Sequence, residues 1–198
     1  MSDIEAAAEL AWAAGDLEAA TTLLIRGYGP QIAGYLFGLL GDEQDASDAF
    51  AECCADLWKT LSSFRHECTF QAWCFMVARH AAARLGEKAT LLRKRTRPLT
   101  PEDISNLGAE VFRTSTAGRE RRLSEAEERL ARARKALSEA EQTLLFLRID
   151  RGLCWRDIAR VLADEAASPL GEAALRKRFE RLKQKLQTQL QRDLLPTA

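Results

Sequence analysis

Two stripes at helical spacing run through residues 45–58, which read DASDAFAECCADLW. The apolar stripe recurs every three or four positions and consists of Ala46, Phe50, Cys53 and Leu57. The second stripe lies beside it and is acidic, with carboxylates at Asp45, Asp48, Glu52 and Asp56. The pattern predicts a helix over about residues 45–61 that packs on one side. Its carboxylates suit a basic protein partner, although an ordinary solvated face is by itself the simpler explanation, because charged residues usually lie outside.

The segments on either side also have helical spacing. Upstream, Asp16 is a candidate N-terminal cap for an apolar stripe that is interrupted near residues 27–30 and stops at Gly41. Downstream, the pattern breaks over residues 64–69, and a third helix is predicted over about residues 70–85. Its apolar stripe consists of Phe70, Trp73, Val77 and Ala81. Neighbouring helices of this kind favour an antiparallel arrangement.

A basic tract follows the aromatic positions of the third helix and begins with Arg79, His80 and Arg84. Arginines hold phosphates and aromatic rings accept unstacked bases, so the combination is typical of a surface for melted nucleic acid. The rings of Phe70 and Trp73 fit the protein core equally well, because amphipathic aromatics occur in both settings.

Helical periodicity fades over residues 93–118, where proline, glycine, serine and threonine accumulate. We therefore predict a leader at residues 1–15, a first domain at 16–97, a linker at 98–122 and a second domain at 123–195. Both domains should be all-α, because no alternation of β-branched residues competes with the helical pattern.

The second domain begins with two capping boxes, in which Ser124 pairs with Glu127 and Ser138 pairs with Glu141. Each box marks the start of a helix. Gly152 should end the second of these helices, since glycine accepts the backbone conformation that closes a helix.

The end of the chain is a candidate helix-turn-helix. A short helix is predicted over residues 155–162, and Ser168 with Pro169 suits the start of the last helix. The last helix carries an apolar stripe of Leu175, Phe179, Leu182 and Leu186. Its basic side chains lie largely opposite and include Lys177, Arg178, Arg181 and Lys185. Such a helix fits a DNA major groove, while membranes and acidic proteins are the alternative partners.

Composition narrows the function classes. The chain of 198 residues has a formal net charge of zero, so a uniform basic field for nucleic acid is absent. Its five cysteines show no paired zinc-ligand spacing; most should be buried as small hydrophobes, and no cofactor or metal is predicted. A nucleophile and base pair could be built from His66 with Cys68, or from His80 with a cysteine. Neither pair has an oriented third group, so catalysis is not expected. Without a secretion signal or membrane span, a cytoplasmic protein is predicted.

These motifs together resemble the extracytoplasmic-function branch of the sigma-70 family. Residues 45–58 look like its acidic segment, residues 70–84 look like its Phe, Ala-Trp and Ala-Arg-Asn segment, and residues 137–186 look like its second DNA-binding domain. The resemblance implies an all-α alternative sigma factor with two helical domains, called regions 2 and 4, joined by a flexible linker. Its partners would be core RNA polymerase and promoter DNA.

The resemblance also implies a role for each surface. Polymerase would be bound by Asp45, Asp48 and Glu52. Residues 62–69 would form the loop that captures a flipped base of the minus-ten element. The side chains on this DNA would be Arg65, His66, Phe70, Trp73, Arg79, His80 and Arg84. The minus-thirty-five element would be contacted by Lys177, Arg178, Arg181 and Lys185.

The sequence also departs from the family pattern. Ser47 and Ala51 stand where the family usually has Glu and Gln, which predicts weak polymerase binding. We hypothesise that Ser47 is a phosphosite, because a phosphate added by a Ser/Thr kinase would restore the missing negative charge. Simple sequence drift is the competing explanation, and an anti-sigma factor is another candidate source of control. The turn at residues 163–168 is longer than a typical helix-turn-helix turn.

Two other classes fit the same surfaces. One is a polymerase-independent helix-turn-helix regulator, and the other is a helical adaptor protein whose basic faces bind acidic proteins. A regulator should bind its DNA site alone, whereas a sigma factor should need core polymerase. An adaptor should show no salt-sensitive DNA binding.

Overall fold

The computed structural model describes residues 3–92, 125–163 and 171–192, and it describes side chains over residues 3–85, 130–163 and 171–191. Within these residues the chain forms α-helices and short helical turns without any β-strand, so the predicted all-α class is confirmed. The chain divides into two compact units, residues 1–119 and residues 120–198. The predicted linker at residues 98–122 lies outside the described residues.

The first unit contains four helices and one short turn. They are α1 (Asp3–Ala13), α2 (Leu17–Leu40), α3 (Glu43–Thr60), the 3-10 turn Leu61–Ser63 and α4 (Phe70–Leu92). Both ends of α2 have a local cause. The Asp16 carboxylate accepts a hydrogen bond from the Ala19 amide at 2.9 Å, as the sequence predicted. Gly41 ends α2 with φ +73°, a conformation that glycine adopts without steric cost.

Residues 1–15 contain a helix where the sequence predicted only a leader. Helix α1 packs on α2, and Ala8 is fully buried between them. The contact is close at Gly27 of α2, where an added Cβ would lie 2.7 Å from side-chain carbons of Ile4. A glycine is therefore required at this position for α1 to approach α2 without displacing Ile4.

The predicted interruption of the apolar stripe near residues 27–30 is wrong, because α2 continues through this segment and Tyr28 is buried within it. Gly27 serves the packing of α1 rather than a break. Pro30 lies on the exposed side of the helix, where water can hydrate the carbonyl that loses its amide partner. Tyr28 and Ile32 on either side of Pro30 are both buried and continue the apolar stripe.

The core of the first unit joins α2, α3 and α4 and is mainly aromatic and aliphatic. Cys53, Cys54 and Cys74 lie in it as small hydrophobes, as predicted. Burial raises the pKa of Cys54 to about 12 and raises the pKa of Cys53 and Cys74 well above the ordinary thiol value. These thiols are therefore protonated and unreactive near neutral pH.

The second unit contains α5 (Glu125–Lys135), α6 (Glu139–Leu145), a π-helical turn Phe146–Asp150, α7 (Trp155–Leu162) and α8 (Glu172–Arg192). The capping box of Ser138 and Glu141 is confirmed, with both reciprocal hydrogen bonds present. Gly152 follows the π-helical turn with φ +67°. Ser124, Ser168 and Pro169 lie outside the described residues, and α8 begins at Glu172, later than predicted.

The apolar stripe of α8 forms the core of the second unit together with α5, α6 and α7. All the predicted stripe residues are buried: Leu175, Phe179, Leu182 and Leu186. None of the helices in the described part of the chain is long and apolar enough to cross a membrane.

Candidate functional site

Helix α3 presents an acidic face that is open at its N-terminal half. Asp45 and Asp48 are exposed, and Asp48 accepts a hydrogen bond from the Gln44 amide group at 3.0 Å. The Asp42 carboxylate caps the helix by accepting from the Asp45 amide at 3.0 Å. Ser47 is half-buried on the same helix. The first half of α3 therefore carries carboxylates that a basic partner can reach.

The C-terminal half of the acidic face is occupied by a cation from α4. The Arg84 guanidinium lies 3.7 Å from the Glu52 carboxylate and contacts the Asp56 carboxylate directly. The family resemblance suggested DNA as the partner of Arg84. In the structure, Arg84 also neutralises part of the acidic face of α3.

The segment between α3 and α4 is anchored on the core by Phe64. Its ring is buried and stacks on the ring of Phe70, with centroids 4.4 Å apart. It also packs against Trp73, at a centroid distance of 5.4 Å. Sequence reasoning missed Phe64, although an aromatic residue inside an otherwise polar loop is a signal for such an anchor.

Phe70 and Trp73 are core residues. Their relative exposure is 1% and 7%, so neither ring offers a face to a base in this conformation. Arg79 and His80, on the following turns of α4, are half-buried. The exposed residues of this region are those of the loop itself, including Arg65 and His66.

His66 is held in an unusual backbone conformation at the middle of the loop. Among the described residues it is the one non-glycine with positive φ, at +53°. Its ring packs edge-on to Trp12 of α1 with centroids 4.4 Å apart, and it also contacts the rings of Phe64 and Phe70. Its Nδ1 atom lies 3.6 Å from the Glu9 carboxylate.

The second unit presents a basic face on α8. Lys177, Arg178 and Arg181 are exposed and make no ion pair with any residue that the structure describes. Lys185 is different, because its ammonium group donates to the Glu141 carboxylate at 2.7 Å. The hydrogen bond from Lys185, aided by those from Ser138 and opposed by burial, lowers the pKa of Glu141.

Trp155 connects this basic helix to α7. Its ring packs edge-on to Phe179 with centroids 5.6 Å apart. The Arg148 guanidinium lies 4.7 Å from the Trp155 ring centroid, and the Arg176 guanidinium lies 6.0 Å from it. This cluster, which sequence reasoning did not identify, fixes the start of α7 against the first turns of α8.

Within the described side chains there is no group of three or more His, Cys, Asp or Glu residues that could hold a metal ion. Cys154 is exposed, and the buried cysteines lie in the core of the first unit.

Comparison with known proteins matches the first unit to a domain family. The Sigma-70 region 2 family model matches residues 24–97, which include most of α2 together with α3, the loop and α4. Residues 24–97 of the first unit are therefore similar to sigma-70 region 2. The chain is also similar to the RNA polymerase sigma-H factor of Pseudomonas aeruginosa, with 29% identity over 147 residues, or 71% of this chain and 73% of the relative. Together these findings support a sigma factor of the sigma-70 family that acts in transcription initiation.

Proposed function

We propose that this chain is an alternative sigma factor of the extracytoplasmic-function class. It would bind core RNA polymerase, recognise the minus-ten and minus-thirty-five elements and promote initiation without catalysing a reaction itself. The observation that carries the proposal is the region 2 match over residues 24–97, which includes both the acidic helix α3 and the loop before α4.

Polymerase binding is assigned to the acidic face of α3. Asp45 and Asp48 are exposed, and Glu52 lies one turn further along. Carboxylates in this arrangement attract a basic surface over a distance set by the ionic strength. Since Arg84 already neutralises part of this face, the charge available for polymerase is concentrated at Asp45 and Asp48.

Capture of the melted minus-ten element is assigned to residues 61–69 and the adjoining turns of α4. Arg65 and His66 are the exposed residues that would meet the DNA first, and Arg79 and His80 lie further along α4. Phe70 and Trp73 support the loop from the core rather than stacking on a base. Unstacking a base costs about a few kcal/mol. Loop contacts and attraction to phosphates would offset this cost, as they do in base-flipping proteins.

Recognition of the minus-thirty-five element is assigned to α8 in a region 4 domain. Its exposed cations Lys177, Arg178 and Arg181 suit the base edges and phosphates of a major groove. Lys185 holds α6 through Glu141 and so contributes to the orientation of α8.

Control of activity is assigned to Ser47. A phosphate there would add negative charge beside Asp45 and Asp48 and would strengthen attraction to a basic polymerase surface. A Ser/Thr kinase would then be a regulatory partner. An anti-sigma factor that covers the same acidic face would act in the opposite direction.

Run-off transcription tests the proposed function. Purified chain and core RNA polymerase are incubated with random-sequence duplexes, and templates that yield specific transcripts are selected. Transcripts that start at one site, and only when both proteins are present, are the expected result. Specific DNA binding by the chain alone, without any transcription, would favour the helix-turn-helix regulator instead.

A further inference from the structure

Helix α1 contacts the loop between α3 and α4 at its start, middle and end. At the start, the Trp12 indole Nε1 donates to the Leu61 carbonyl at 3.3 Å. In the middle, Trp12 packs on the His66 ring and Glu9 lies beside its Nδ1 atom. At the end, Glu5 accepts hydrogen bonds from the first backbone amides of α4.

Glu5 acts as a second N-terminal cap for α4, supplied from a distant part of the chain. Its carboxylate accepts from the Gln71 amide at 2.8 Å and from the Phe70 amide at 3.3 Å. The local cap, Thr69, accepts from the Ala72 amide through its hydroxyl group at 3.2 Å. The Tyr28 hydroxyl donates to Glu5 at 2.9 Å and fixes its orientation. A negative charge at the N-terminus of α4 also interacts favourably with the helix dipole.

We propose that Glu5 and Trp12 are positioning residues that hold residues 61–69 in the conformation that receives an unpaired base. This inference rests on the proposed sigma function, and it gives α1 a role in promoter melting. Helix α1 lies entirely before residue 24, where the region 2 match begins, so this role is not part of the matched segment.

Contacts from α1 should favour base capture because they lower the conformational entropy of the free loop. A loop that samples many conformations must lose that freedom when it closes on a base, and this loss opposes capture. Contacts from α1 remove the freedom before DNA arrives. The left-handed backbone of His66, which a non-glycine residue rarely adopts, is held by the Trp12 ring and by Glu9.

The test compares Glu5→Gln and Glu5→Ala holoenzymes with the wild type. Glu5→Gln keeps the size of the side chain and one acceptor oxygen. This variant should therefore fold, and it keeps the test valid, even if Glu5→Ala does not fold. Glu18→Ala is the matched control, because Glu18 is exposed in the first turn of α2. Two affinities are measured for each variant. One is for core polymerase, and the other is that of the holoenzyme for a selected promoter whose minus-ten strand is left unpaired.

Both Glu5 variants should bind core polymerase as the wild type does. Glu5→Ala should bind the unpaired DNA about fivefold more weakly, the loss typical of a removed helix cap, and Glu5→Gln should fall in between. The Trp12→Phe variant, which removes the indole donor, should weaken the same affinity. Wild-type binding of unpaired DNA by Glu5→Gln and Trp12→Phe would overturn the inference. If the wild-type chain itself fails to bind core polymerase, the proposed function fails first.

Discussion

The Arg84 guanidinium of α4 contacts the Asp56 carboxylate of α3, so a cation from the helix assigned to DNA neutralises part of the helix assigned to polymerase. Glu52 shares the same guanidinium at 3.7 Å. The two surfaces proposed to bind different partners are therefore electrostatically coupled within one unit. Removing the cation should change the charge that polymerase encounters.

Replacing Arg84 tests this coupling. The Arg84→Gln variant should bind core polymerase about two- to fivefold more tightly at low salt, because Glu52 and Asp56 regain their full charge, and high salt should erase the gain. The affinity is measured by fluorescence titration at two salt concentrations. Arg26→Gln removes the same charge from an exposed position of α2 that makes no ion pair with Glu52 or Asp56, and it should have no such effect. Weaker polymerase binding by Arg84→Gln would contradict the arrangement.

Adding charge at Ser47 tests the proposed switch. Ser47→Glu should raise the affinity for core polymerase by about two- to fivefold, since it adds a carboxylate near Asp45 and Asp48. Ser47→Gln has nearly the same size without the charge and should behave as the wild type. The switch should be abandoned if the two variants bind polymerase equally well in the same titration.

The basic face of α8 can be tested by charge reversal. A chain carrying both Arg178→Glu and Arg181→Glu should lose recognition of the minus-thirty-five element, because both reversed groups would face phosphates. Binding of core polymerase should remain, since the reversed residues lie in the second unit. Duplex DNA binding by each holoenzyme and polymerase affinity are measured in parallel. The single reversal Lys135→Glu, at the end of α5, is the control, and equal DNA binding by control and double variant would contradict the assignment.

The Glu141 carboxylate should make the second unit sensitive to acid. Its folded-state pKa lies below the ordinary value of 4.5, because Lys185 and Ser138 donate to its ionised form. Its contribution to the free energy of unfolding is therefore complete above that value and is lost as the pH falls through the lowered pKa. Urea unfolding at a series of pH values should show this loss in the wild type.

Glu141→Gln provides the comparison for that measurement. It keeps a weaker acceptor but no charge, so it should be about 1 kcal/mol less stable near neutral pH. The difference from the wild type should shrink as the pH falls below about 4. A difference that stays constant over this range would show that the ionised form of Glu141 does not stabilise the unit.

Features that depend on neighbouring residues could be predicted from the sequence. The cap at Asp16 and the box of Ser138 with Glu141 each depend on groups within four residues of one another. The buried stripes of α4 and α8 also follow, because a 3.6-residue period is readable without knowing what covers it.

Features that depend on distant residues could not be predicted. The Glu5 cap on Gln71 joins positions 66 residues apart, and the contact of Arg84 with Asp56 joins positions 28 apart. The apolar stripe of α2 looked interrupted near Gly27 and Pro30, yet Gly27 packs closely on Ile4 of α1 and Pro30 is exposed on a continuous helix. Tertiary contacts, rather than propensity, decided these positions.

The central claim is that the chain opens promoter DNA only as part of a complex with core RNA polymerase. Permanganate reactivity of unpaired thymines measures this opening directly on a selected promoter. Reactive thymines should appear around the minus-ten element only when the chain and core polymerase are both present. The account would be contradicted if core polymerase alone made these thymines reactive. It would also be contradicted if the thymines stayed unreactive when both proteins are bound to a template that is transcribed.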